Sequence, residues 1–510
     1  MYSKITRNAT VSVVQSLLSG LVLFLLYRYL INRIGTEQLG LWSVILASTS
    51  VARFSDMGLT GSVVKFVARY RALKDDEQAA DAVQTAAISI ALVMMVLAIG
   101  FYPFLDDVLS VSIPAKSMPQ ALSILPWAVL SLWFGSVGGV FQSGLDGCQR
   151  MDLRNILTIS GNVLFFMAAM WLVPRYGLLG LAVGQAAQGL LLTVVSWLVL
   201  RRHLTTLPWL PMHWSKTKFK EMFGYALNFQ ISSIAIMFFD PITKLLMSRY
   251  GGLSSAGYYE MASQMVVKLR TLLISANQAF VPAVAELHET SPEKVRDLYL
   301  KAYRLLFFIV VPFYATILIA LPLVSELWIG HSDAQFLLFG TLLAIGWGLN
   351  SMNGPAYFFN LGTGDLTWNS ISHVVTAILN VLLGLLLGRM FGGVGVAISA
   401  MIALVFASWL VIYALHRNYK IPFQALIPSE HYVLLFVVSC CVTVSIWINA
   451  LHVLNQRPVI SGTIHVGVYL LIVGIVMWMH PYKLLLLERI STPGKKQDQV
   501  LSADDNTLIL

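Results

Sequence analysis

The 510 residues predict an all-α polytopic membrane protein, and three observations carry that prediction. The chain is 57% hydrophobic and 12% charged, with a mean hydropathy of +0.73, whereas soluble proteins are about a quarter charged. Its apolar runs recur at about 20 residues, the length of one helical membrane crossing. Its cations also fall on one side of those runs, as the positive-inside rule requires.

Fourteen spans are expected, at approximately 8–32, 39–60, 82–105, 119–143, 154–174, 178–200, 222–248, 254–284, 303–324, 334–360, 367–388, 393–416, 431–453 and 461–480. The first is too long for a signal-peptide core and lacks a small-residue cleavage site, so it reads as a retained span. After the second, FSDMGLTGSVVKFVARYRAL (54–73) reads as a turn entering a basic amphipathic helix, and ELHETSPEKVRDLYLKAYR (286–304) holds the same place later in the chain. Such helices bind anionic headgroups. The loop between spans three and four carries Asp106 and Asp107. Glycine-rich turns join spans five and six (RYGLLGLAVG, 175–184) and spans eleven and twelve (MFGGVGVAIS, 390–399).

Of the 34 Lys and Arg, 24 are counted on the side of the N-terminus, Arg53 at the inner end of span two among them. Six lie on the other side (Arg33, Lys116, Arg175, Arg249, Arg389 and Arg457), and Arg28, Lys244, Lys268 and Arg270 fall within spans. Both termini are therefore expected in the cytoplasm, and the net charge of +9 reflects topology rather than nucleic-acid binding. The three cysteines, Cys148, Cys440 and Cys441, form no disulfide framework or metal spacing. No phosphate loop or catalytic triad order is present, so no catalytic residue and no metal ligand is expected.

The chain repeats itself. Arg33-Ile-Gly35 followed by Gly40-Leu-Trp42 returns as Arg249-Tyr-Gly251 followed by Gly257-Tyr-Tyr259, and the two glycine-rich turns share G-x-x-G-x-A. The offsets are 216 and 215. Two six-helix bundles of one topology follow, 1–202 and 222–417, related by a pseudo-twofold along the membrane normal. A basic cytoplasmic linker with Pro208 and Pro211 occupies 203–221, an appended helix pair 418–481 and a cytoplasmic tail 482–510.

Ionisable groups at membrane depth are expensive and mark transport pathways. In span eight, Glu260, Gln264, Lys268, Thr271, Ser275 and Gln278 recur at helical spacing and form one polar stripe, which lines a cavity or bonds to other helices. Arg28 matches Lys244 and Arg53 matches Arg270 across the repeat. Four cations at two depths suit an anionic cargo, although snorkelling to headgroups accounts equally for Arg28 and Arg53. In FFDPITKLLM (238–247), Asp240 and Lys244 stand at i and i+4 in the favourable order, and Pro241 weakens the turn. That stretch is a candidate gate or coupling site, together with Glu260. Asn350, Asn353, Tyr357, His373 and Asn380 are candidate sugar contacts beside Gln264. Asn also bridges membrane helices, and His373 suits either a proton switch or a hydrogen-bonded interior position.

This six-plus-six-plus-two arrangement, with Asp56-Met57-Gly58-Leu59 and the basic tract behind it, resembles the polysaccharide-biosynthesis flippases. These are the O-antigen translocase type of the superfamily that also holds multidrug exporters, so the expected fold is MATE-like. The resemblance covers about residues 1–417. It implies a V-shaped cavity between two lobes with alternating access in the bacterial inner membrane. The implied cargo is a polyprenyl-diphosphate-linked oligosaccharide, moved from the inner to the outer leaflet for surface polysaccharide such as lipopolysaccharide O-antigen. Cavity cations would hold the diphosphate, and the positions available are Arg28, Arg53, Lys244 and Arg270, with Lys268 as a further candidate. Membrane lipids and the polysaccharide polymerase machinery are the implied partners. No cofactor is expected; with no ATP motif, a proton or sodium gradient or the membrane potential is the expected energy source. Two other readings stand beside it. A cation-coupled multidrug exporter would want more acids than bases at membrane depth, against five cations and two acids here. A membrane glycosyltransferase or polymerase would normally carry a larger outer loop.

Overall fold

The computed structural model describes residues 2–50, 58–278, 280–427, 429–450 and 458–482. Its fourteen α-helices are α1 (Tyr2–Ser50), α2 (Leu59–Ala72), α3 (Asp76–Ser112), α4 (Met118–Gly147), α5 (Met151–Arg201), α6 (Lys216–Met237), α7 (Phe239–Gln278), α8 (Phe280–Thr290), α9 (Pro292–Ile329), α10 (Ala334–Ser351), α11 (Gly354–Thr363), α12 (Thr367–Asn418), α13 (Tyr432–Ala450) and α14 (Pro458–Met479). Among the described residues there is no strand, and nine helical segments are long and apolar enough to cross a membrane. The protein is a multi-pass helical membrane protein.

Helices and predicted spans do not correspond one to one, for a physical reason. α1, α5, α7 and α12 each run through a glycine corner, at Gly35 (φ 79°), Gly177 (φ 56°), Gly252 (φ 82°) and Gly392 (φ 62°). Positive φ is accessible to glycine without a Cβ penalty, so each expected outer loop contracts to one residue. The corners at Gly35, Gly252 and Gly392 meet at one end of the molecule, called the corner end below. Span seven departs in the opposite sense. It is interrupted at Phe238, between α6 and α7, so Pro241 stands in the first turn of a new helix, where its missing N–H costs no hydrogen bond. Asp240 shares that first turn, where the helix dipole favours an acid. Span ten is likewise divided at Met352–Asn353, between α10 and α11.

Packing repeats at offsets of 215 to 217. A Cβ on Gly147 would lie 2.7 Å from Val67 Cβ, and one on Gly362 would lie 2.7 Å from Val284 Cβ. Gly40 and Gly257 go further, because the repeat mates touch each other. A Cβ on Gly40 would overlap the Leu253 carbonyl, and one on Gly257 the Thr36 carbonyl. Repeat mates in mutual contact define a local twofold axis, here between the second half of α1 and the second half of α7. Thr36 and Ser254 hydroxyls meet beside it at 2.9 Å.

One hydrophobic core, from Leu26, Leu39 and Ile45 through Tyr259 and Val266 to Phe336 and Val396, joins both halves. The opposite end is closed by other means. There α6 lies against α2: Lys218 donates to the Tyr70 hydroxyl, Arg69 and Glu221 pair at 3.4 Å, and Lys65 Nζ sits 3.6 Å from the Tyr225 ring centroid. At that end the described residues of α6 and α2 are therefore in direct contact. α13 and α14 pack on α9 through Phe308, Leu434, Val438, Tyr469 and Val473.

Candidate functional site

The chemistry-bearing side chains of α7 gather where it crosses α1. Lys244 Nζ lies 2.7 Å from Asp240 Oδ2 and 2.8 Å from Glu260 Oε2. Glu260 Oε2 also accepts from Ser43 Oγ at 2.8 Å, and its Oε1 accepts from Tyr27 OH at 3.0 Å and Gln264 Nε2 at 2.8 Å. The Gly252 corner makes this possible by folding the helix back, so that residues sixteen positions apart meet. Lys244 and Glu260 are buried, with side chains 10% and 5% exposed, whereas Asp240 is 51% exposed. Burying one ion costs several kcal/mol unless it is paired and hydrogen-bonded. Glu260 meets that demand with four partners, two of them on the other half of the molecule.

The expected Asp240–Lys244 pair is therefore present, but Lys244 is not a free cavity cation in this conformation. Two carboxylates and one ammonium leave the cluster with one excess negative charge. Nor are Arg28 and Lys244 equivalent. Arg28 is exposed on the face of α1 that also exposes Leu17, Leu21 and Leu25, the placement expected of a snorkelling side chain. Arg53 lies outside the described residues, as do the side chains of Ser275 and Gln278.

Arg270 is placed differently. Its Nη2 donates to Asn350 Oδ1 at 2.9 Å, and its guanidinium carbon stands 4.1 Å from the Trp347 ring centroid. Asn350 in turn donates to Ser408 at 2.7 Å, so α10 and α12 hold the guanidinium in position. Its buried Nε has no hydrogen-bond partner, and among the described residues no carboxylate pairs with it. Lys268, two residues before, is exposed and turned away. With Gln264 it lines a cleft of about 210 Å³ between α1 and α7, walled by Ser16, Gly20, Phe24 and Trp328. Ordinary ligand pockets measure about 300–1,000 Å³, so in this state the cleft admits only part of a ligand.

The remaining candidates divide. Asn380 is fully buried and donates to the Phe239 carbonyl and the Thr243 hydroxyl at 3.2 and 2.9 Å, securing the break before α7. Asn350 is engaged as above. Both act as helix bridges here, Asn380 fully buried and Asn350 half-buried. Asn353 is buried at the α10–α11 break with its Oδ1 unpartnered. His373 is half-buried, its ring 5.8 Å from that of Tyr357.

Sequence reasoning missed Tyr27, Ser43 and Trp347. Ser43 was detectable, because it is the repeat mate of Glu260 at an offset of 217, and mates next to Gly40 and Gly257 must face one another. Tyr27 and Trp347 carry no comparable signal.

Helices in two matched halves, interlocked on an axis with charge buried at the crossing, make an all-α membrane fold built on an internal repeat. The chain belongs to the polysaccharide biosynthesis protein family, whose model matches residues 5–288. None of the curated proteins matches it in sequence. Among solved structures it is similar to the lipid II flippase MurJ in an inward closed conformation, with a TM-score of 0.71 and 11% identity over 94% of this chain and 100% of that one. It is also similar to an inward-facing multidrug resistance MATE family transporter of the MOP superfamily, at 0.65 and 16% over 78% of this chain and 94% of that one. For an outward-facing transporter of that description the values are 0.54 and 15%, over 82% and 95%. At these identities the likeness establishes the fold.

Proposed function

We propose that the protein is a flippase that moves a polyprenyl-diphosphate-linked oligosaccharide from the inner to the outer leaflet of the bacterial inner membrane by alternating access. The corner end is then the outer side, and both termini are cytoplasmic. Arg270 carries this reading. A guanidinium held on Trp347, with no counter-carboxylate among the described residues, retains charge and N–H capacity for an anion, and its planar fork matches phosphate oxygens. Lys268 and Gln264 extend that capacity to the neighbouring cleft. The MurJ structure, described as a lipid II flippase, supports a lipid-linked cargo, as does the family assignment. The cargo would serve surface polysaccharide synthesis, O-antigen included, and deliver to the polymerase machinery.

The excess negative charge at Asp240–Lys244–Glu260 supports coupling to a proton or sodium ion, because a cation arriving at Asp240 would complete its neutralisation. The test is deletion of the gene with analysis of lipid-linked sugars. Accumulation of a polyprenyl-diphosphate oligosaccharide on the cytoplasmic leaflet, relieved by the wild-type gene and not by Arg270→Ala, is the expected result. Unchanged lipid-linked sugars with new sensitivity to cationic drugs would transfer the assignment to multidrug export, the function named for the MATE structures.

A further inference from the structure

The segment between α5 and α6 reads in sequence as a cytoplasmic linker, yet it is stitched along α3. Gln84 Oε1 accepts from the Met212 and His213 N–H groups, both at 3.2 Å. Thr85 Oγ1 accepts from the Ser215 N–H at 3.2 Å, and Trp214 Nε1 donates to Ser89 Oγ at 3.0 Å. At the other end of the segment, Trp197 Nε1 donates to the Trp209 carbonyl at 2.9 Å. Gln84, Thr85 and Ser89 are buried beneath it. The backbone is therefore held by polar groups that would otherwise be unsatisfied at membrane depth.

What the segment turns outward is apolar: Trp209, Leu210 and Met212 are 74%, 65% and 82% exposed. Along α3, exposed apolar side chains begin one turn past Ser89, at Leu92, Met95 and Val96. Cations frame the segment. The Arg201 guanidinium carbon lies 4.0 Å from the Trp209 ring centroid, and Lys216 and Lys220 are exposed at the start of α6. Indole rings and thioethers bordered by Lys and Arg are the composition of a headgroup boundary.

We propose that residues 207–214 form an in-plane strap whose Trp209, Leu210 and Met212 side chains rest in the headgroup–acyl boundary of the leaflet nearest α6. The strap rests on the membrane-spanning fold and not on the cargo, so it is tested independently of transport. A cysteine-free protein carrying Met212→Cys is labelled with the environment-sensitive fluorophore NBD. It is then reconstituted in phosphatidylethanolamine–phosphatidylglycerol vesicles with iodide on both faces. Asp365→Cys, in an exposed loop, is the water-facing reference, and Leu210→Cys is a second probe. Both strap positions leave the backbone clamps intact, and size-exclusion profiles verify folding. Expected are blue-shifted emission, stronger quenching by a shallow than by a deep nitroxide lipid, and iodide quenching about fivefold weaker than at position 365, as for interfacial side chains. Iodide quenching equal to the reference, with no nitroxide effect, overturns the proposal and leaves the patch to a protein partner.

Discussion

At Arg270 the protein keeps a guanidinium with an aromatic face beside it and, among the described residues, no carboxylate paired with it. Hydrogen bonds to charged groups contribute about 1.5–3 kcal/mol, so Arg270→Ala should reduce transport by about tenfold to a hundredfold. Arg270→Lys should recover only part of it, because an ammonium loses the planar fork and the stacking. Polymer restored to a deletion strain, normalised to protein in the membrane, is the measurement. The buried cluster makes a stability prediction instead. Breaking a buried pair costs about 3–5 kcal/mol. Glu260→Ala should therefore lower the unfolding temperature in detergent, and adding Lys244→Met should recover part of the loss because no unpaired ammonium remains. Additive losses in that double-mutant cycle would show that the two residues are not coupled. Asp240 and Lys244 were legible as a pair because helical spacing alone brings them together. Glu260 was legible as an intramembrane acid, but its bonds to Lys244 and Tyr27 depend on the Gly252 corner and on a crossing that no local pattern encodes.

Among the elements, the spans were legible because hydropathy needs no tertiary information. Their ends were not, since glycine corners and helix breaks depend on packing. Pro241 shows the distinction: the sequence marks a weak point, and the structure places the interruption three residues earlier, at Phe238. Asn380 secures that interruption from α12, holding the Phe239 carbonyl and the Thr243 hydroxyl. Removing a buried partner of this kind costs about 1–3 kcal/mol, so Asn380→Ala should destabilise the α6–α7 junction. Hydrogen exchange of amides 238–240, 242 and 243, faster in the variant than in the wild type, measures it. Unchanged exchange there would leave Asn380 without the bridging role that its two bonds describe.

For the whole molecule, the corner end is sealed by Gly40 against Gly257, and the opposite end by Lys65, Arg69 and Tyr70 against Tyr225, Glu221 and Lys218. Alternating access needs one seal to open while the other holds. Thr36→Cys with Ser254→Cys should form a disulfide under oxidation and stop transport, and reduction should restart it. Glu221→Ala with Tyr225→Ala should loosen the other seal and raise the reactivity of a Gln264→Cys reporter toward an impermeant thiol reagent. Unaltered labelling of that reporter would place the gate elsewhere. The two-half architecture was legible from two glycine-rich offsets, whereas the closed state was not, because closure is a property of one conformation. The axis itself has a last consequence. Around an axis of identical copies, a carboxylate at the position of Ser43 would face its own mate, and one of the two would have to hold a proton. Here the mates differ, a hydroxyl donating to a carboxylate at 2.8 Å, so a single chain holds an unequal contact at the centre of an otherwise repeated crossing.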